Sequence, residues 1–191
     1  MTEKSLEQIL QEQRKYAAFF EWPDKQSKEC GIVQCLLESM ENHGLDPFTG
    51  LRPGPSPNHA PDCIAEDKSG ETVAIEVTEF MSRKAIEMNQ RGKNVYHYWK
   101  PDEVINEAKK IITQKDGVTY RGGPYSKIVL VIHTDEIALD HETYSTVLSG
   151  AAFEAQTIDG AFFLFSYRPQ VKTYPHVQLN LMSNKPLEPI R

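Results

Sequence analysis

Five consecutive aliphatic side chains, Ile128-Val129-Leu130-Val131-Ile132, constrain the fold of this chain more than any other stretch. With no polar residue on either face, a strand built from them must be covered on both sides, as at the centre of a sheet with helices above and below. Ala161 to Phe165 reads as a second buried strand. His176 to Leu181 alternates apolar with polar residues, the pattern of a half-exposed strand.

Helical periodicity appears between these strands. From Ser27 to His43 the residues Ile32, Val33, Leu36, Leu37 and Met40 form one stripe at ~100° per residue. From Pro101-Asp102 to Lys115 a second stripe holds Val104, Ala108, Ile111 and Ile112, with Pro101 suited to a helix start and Gly117 to a stop. His141 to Leu148 makes a third helix, closed by Gly150-Ala151-Ala152, and Leu6 to Phe20 an amphipathic one ending near Trp22-Pro23. That last helix would pack on the domain or on a partner, so a homodimer is an expectation. The order of elements predicts an α/β domain with a mixed central sheet flanked by helices. We expect an N-terminal helical extension over 1–25, the α/β domain over 26–183 and a C-terminal tail over 184–191. The Pro- and Gly-rich run from Gly44 to Pro61 reads as a rigid loop.

A chain of 191 residues buries one sizeable core. No apolar run approaches the ~20 residues needed to span a bilayer, and the first residues lack a signal-peptide pattern, so no membrane partner and a cytoplasmic location are expected. The three cysteines, Cys30, Cys35 and Cys63, show neither zinc-ligand spacing nor an even disulfide framework. The six histidines are scattered; His133 ends the apolar strand and reads as a hydrogen-bonded strand-end residue.

The chemistry concentrates where Pro61-Asp62 is followed by Glu76-Val77-Thr78. Cys63 to Glu66 reads as a short strand, Asp67-Lys68-Ser69-Gly70 as a hairpin turn, and Glu71 to Phe80 as a longer strand. Period-2 geometry sets Val73, Ile75 and Val77 on one face and Ala74, Glu76 and Thr78 on the other. A carboxylate therefore sits mid-strand among small or apolar neighbours, where burial is costly without a cation, a hydrogen-bond network or solvent. Two carboxylates on neighbouring strands can share one divalent ion, since Mg²⁺ is commonly held by one or two protein carboxylates plus waters and substrate phosphate. Equally, Asp62 can cap a turn after Pro61 and Glu76 can face solvent.

Pro61-Asp62 with Glu76-x-Thr78 resembles the PD-(D/E)XK nuclease superfamily, over roughly Glu29 to Ile132. The resemblance implies a restriction-endonuclease-like three-layer core, with Mg²⁺ or Mn²⁺ bound by Asp62 and Glu76 and DNA phosphodiester hydrolysis as the activity. It also implies a lysine two residues beyond the Glu to polarise the attacking water, and this chain has Thr78 there. A relative that keeps the scaffold as a catalytically silent binding module is the alternative, favoured by Thr78 and by the net charge of −6.

Two helical residues bear on this choice. Glu29 lies on the apolar stripe of its helix, one turn upstream, and matches the acid that the first core helix of such nucleases often supplies; a first-turn glutamate also suits a helix N-terminus. Lys115 falls on the buried stripe of the second helix, whereas Lys109 and Lys110 turn aside, so Lys115 is the candidate for a relocated lysine. It can instead snorkel to water at the helix C-terminus. Arg83, Lys84, Arg91, Lys93 and Lys100 surround Tyr96, Tyr98 and Trp99 in the connector after the Glu76 strand. Basic groups track phosphates and aromatics stack on bases, which makes this the candidate DNA surface. A solvated connector has the same composition.

Overall fold

The structure, a computed structural model, describes residues 24–45, 47–55, 60–82, 97–136 and 138–182. The N-terminal amphipathic segment, the C-terminal tail and the basic residues Arg83, Lys84, Arg91 and Lys93 lie outside the described residues. Helix α1 spans Lys25–Glu41 and is followed by strands β1 (Phe48–Pro53), β2 (Cys63–Asp67) and β3 (Thr72–Glu79). Then come α2 (Pro101–Lys115), β4 (Lys127–His133), α3 (His141–Gly150), β5 (Ala152–Glu154), β6 (Gly160–Leu164), β7 (His176–Gln178) and β8 (Asn180–Met182).

Among the described residues one mixed sheet of six strands runs β1-β2-β3-β4-β6-β7. Strand β2 pairs antiparallel with both β1 and β3, β4 pairs parallel with both β3 and β6, and β7 closes the far edge antiparallel to β6. Strand β4 occupies the interior, as its unbroken apolar run requires: Val129 and Val131 face α1, while Leu130 and Ile132 face α2 and α3. Helix α1 buries Ile32, Val33, Leu36, Leu37 and Met40 against Cys63, Ala65, Val73, Ile75 and Val77. On the opposite face Val104, Ala108, Ile111 and Ile112 of α2 pack with Phe80, Phe163 and Leu148. The result is an α/β domain with helices on both faces of the sheet. No helix among the described residues is long and apolar enough to cross a membrane.

Four boundaries differ from the sequence expectations. Helix α1 begins two residues before Ser27 because Asp24 caps it, its carboxylate accepting from the Ser27 backbone N–H at 2.8 Å. The stretch expected to be a loop before Pro61 contains strand β1. Two residues of β1 oppose one of β2 between Thr49 and Arg52, and Gly50 supplies a φ of 63° there, so a bulge hides the alternation. Pro53 is tolerated because β1 is an edge strand. The run His176 to Leu181 divides at Leu179, with β7 joining the main sheet and β8 pairing with β5 in a second, two-stranded sheet. Ala152–Glu154 supply that partner strand, where Gly150-Ala151-Ala152 was expected only to close α3.

The β2–β3 turn is held by Asp67, whose Oδ1 accepts from Ser69 N and Oγ and from Glu71 N, while Lys127 Nζ donates to Oδ2 at 2.9 Å. Hydrogen bonding to Ser69, then to Lys127, holds this carboxyl well below the usual carboxylate range. The turn thereby fixes the register in which Cys63 faces Ile75 and Ile64 faces Ala74.

Candidate functional site

Continuing that register sets Asp62 opposite Glu76, at the point where β2 leaves the β3 ladder. The Val77 N–H, which a longer β2 would have paired, donates instead to Asp62 Oδ2 at 2.8 Å. A buried backbone donor needs some acceptor, and here a carboxylate takes the role of a carbonyl. Asp62 is also braced from behind: the Gly54 N–H donates to its carbonyl at 3.0 Å. A Cβ at Gly54 would lie 1.8 Å from the Pro61 carbonyl oxygen, so the chain passes there only because position 54 lacks a side chain.

Glu76 points to the α2 side of the sheet, and Lys115 in the last turn of α2 reaches it, Nζ donating to Oε1 at 2.6 Å. The end of α2 is fixed by Asp116, whose carboxylate accepts from Gln156 N and Thr157 N at 2.8 Å each and from Thr157 Oγ1 at 2.7 Å. Lys115 is therefore held by a helix whose C-terminus is tied to the loop before β6. Tyr120, half-buried in the connection that follows α2, stands beside Glu76.

From the opposite side of the sheet α1 contributes two more groups. Lys25 Nζ lies 3.1 Å from Glu29 Oε1 and 3.9 Å from Asp62 Oδ1. Glu29 and Asp62 are close enough for the charge of Asp62 to act on the Glu29 carboxyl. The side chains of Glu29, Asp62 and Glu76 are 13%, 14% and 13% exposed, so none of these acids is aimed at bulk water.

Electrostatics follow from that burial. Desolvation pushes the Glu76 carboxyl up; the Lys115 hydrogen bond opposes it and the charge of Asp62 adds to it. Glu29 is likewise raised, by burial first and then by Asp62. Burial, followed by the charge of Glu76, raises the Tyr120 phenol and keeps it a donor. Contact with Glu29 raises the Lys25 ammonium. With every group ionised, the three carboxylates exceed the two ammonium groups by one negative charge.

Of the residues named from the sequence, Lys115 thus contacts Glu76, and Glu29 and Asp62 have Lys25 between them. Lys25 and Tyr120 join them without having been expected. Lys25 stands one turn before Glu29, and an (i, i+4) ion-pair reading of the helix would have found it. Tyr120 sits outside any periodic element and carries no comparable signal. Thr78 stays on the same face of β3 as Glu76, half-buried. Of the expected DNA contacts, Lys100 is exposed at the start of α2 beside the strongly exposed Tyr98, whereas Trp99 packs against Phe80 with ring centroids 4.7 Å apart. His133 is buried, and desolvation lowers it to about 3, so it is neutral.

The donors are hard oxygens, a set suited to Mg²⁺ or Mn²⁺ rather than to a thiolate-seeking metal. Among the described residues no three carboxylate, imidazole or thiol groups are arranged to hold an ion by themselves. Two carboxylates with water and phosphate remain sufficient for Mg²⁺. Behind the acids, the residues following Glu29 and Asp62 also meet: Cys30 Sγ and Cys63 Sγ lie 2.9 Å apart.

No family model matches this chain, and neither a curated protein nor a solved structure matches it.

Proposed function

We propose that the cluster of Asp62, Glu76, Glu29 and Lys115 is the catalytic centre of a Mg²⁺- or Mn²⁺-dependent nuclease that hydrolyses DNA phosphodiesters, on a restriction-endonuclease-like core. The observation that carries this reading is the 2.6 Å contact between Lys115 Nζ and Glu76 Oε1. It brings to the acid, from α2, the amine that the resemblance implies at position 78. The mixed sheet flanked by helices agrees with the core that the resemblance implies.

Asp62 and Glu76 would hold the ion, with Glu29 close enough to Asp62 to act through a water. A bound divalent ion supplies a coordinated water of lowered pKa and neutralises charge building on the phosphate. Lys115 would orient the attacking water or a phosphate oxygen. Thr78 is limited to a hydrogen bond from beside the site. Lys100 and the basic residues of the connector would follow the DNA backbone.

The test is cleavage of supercoiled and linear DNA with Mg²⁺ or Mn²⁺. Asp62→Ala and Glu76→Ala are expected to abolish cleavage with the circular dichroism spectrum preserved; wild-type cleavage by either variant refutes the assignment. A second reading, a silent binding module, is favoured by the Lys115–Glu76 and Lys25–Glu29 pairs, which neutralise two acids without an ion. Calorimetric titration with Mn²⁺ separates the two: the enzyme binds an ion that Glu76→Ala loses, and the module binds none.

A further inference from the structure

We propose that Cys30 and Cys63 form an oxidative modification site, in which a hydroperoxide oxidises Cys30 and Cys63 then closes a disulfide joining α1 to β2. The two thiols come from elements 33 residues apart in sequence, yet their sulfurs lie 2.9 Å from each other. A disulfide needs about 2.05 Å between sulfurs. The required movement is therefore less than about 1 Å.

Their exposures differ in the way that two-step oxidation needs. Cys30 lines an open cleft of about 500 Å³ between the start of α1 and strand β1, together with Ser27, Gln34, Leu51 and Arg52. Cys63 is fully buried behind it, beyond direct attack by an oxidant. Cys35, five residues along α1, is rotated ~140° from Cys30 at ~100° per residue and points away from this contact.

The chemistry balances with one peroxide. The Cys30 sulfur attacks the O–O bond, giving a sulfenic acid and one water or alcohol. The Cys63 sulfur then attacks the Cys30 sulfur and expels the hydroxyl as a second water. Two thiols are oxidised, one peroxide is reduced, and both thiol protons leave in the products. Because Glu29 precedes Cys30 and Asp62 precedes Cys63, the new bond fixes the spacing of these acids whether or not they hold an ion.

The full-length folded chain, treated with hydrogen peroxide, quenched with iodoacetamide and digested without reduction, tests this by mass spectrometry. A Cys30–Cys63 linked peptide with Cys35 alkylated is expected, forming at least about tenfold faster than in urea-unfolded protein because the fold supplies the proximity. In Cys63→Ala, Cys30 should stop at a sulfenic acid that dimedone traps. Equal rates in folded and unfolded protein, links that involve Cys35, or Cys30 and Cys63 both left alkylatable would overturn the proposal.

Discussion

Replacing Lys115 with Met removes the ammonium while keeping most of the stem, and so isolates the electrostatic part of its contact with Glu76. An exposed ion pair contributes about 0–1 kcal/mol, whereas removing one partner of a buried pair costs about 3–5 kcal/mol. Glu76 is 13% exposed and Lys115 30%, which places this pair between those limits. We expect a cost of about 2 kcal/mol at neutral pH, or a fall of about 4–8 °C in Tm for a chain of this size. The pH dependence has a definite sign. Burial already raises the Glu76 carboxyl, and loss of Lys115 raises it further, so the folded variant binds a proton that the unfolded chain releases. Its stability therefore declines as pH rises from the ordinary glutamate value through the raised folded one. The deficit should be present at about pH 7.5 and largely gone at about pH 4, where Glu76 is protonated in both states. Urea unfolding followed by tryptophan fluorescence at both pH values measures it, and a double-mutant cycle with Glu76→Gln should return a coupling energy of similar size. A variant as stable as wild type at pH 7.5 would refute the argument. So would an equal deficit at both pH values, which would assign the effect to packing of the lysine stem.

Gly54→Ala places a Cβ against the Pro61 carbonyl, and the backbone must yield. A cost of about 1–3 kcal/mol in urea unfolding is expected, together with weaker Mn²⁺ binding in calorimetry, because the displaced segment carries Asp62. Beyond the C-terminal end of β3, burial and then the charge of Glu79 push Asp135 up to about 6. Folding then loses stability as pH rises from about 4 to 6, the whole shift corresponding to at most about 3 kcal/mol. Asp135→Asn should gain about 1–2 kcal/mol at pH 7.5 and nothing at pH 4 in the same unfolding assay; a loss at pH 7.5 would mean that the carboxylate is favourably held.

What the sequence could disclose of the site depended on periodicity. Period 2 put Glu76 on one face of β3, and the helical period put Lys115 on the buried stripe of α2. Two buried faces separated by one crossover must meet, so the acid and the amine could be paired before their distance was known. Asp62 was legible as a carboxylate at a strand start, but not its acceptance of the Val77 N–H, which depends on β2 ending one residue short of Glu76. Tyr120 was invisible for a different reason. It lies in the connection after α2, beyond the point where Asp116 accepts from the backbone of Gln156, Thr157 and Ile158, contacts across some forty residues that no local pattern encodes. Strand β1 was hidden by the bulge at Gly50, although it carries Gly54 to the back of Asp62. The acids that could hold a cation were thus readable one at a time, while the groups that aim them arise from tertiary contacts. It follows that substitutions at Gly54 or Asp116, remote in sequence from the motif, should perturb cation binding more than Thr78→Ser, which alters the motif itself but leaves the supports of Asp62 and Lys115 in place.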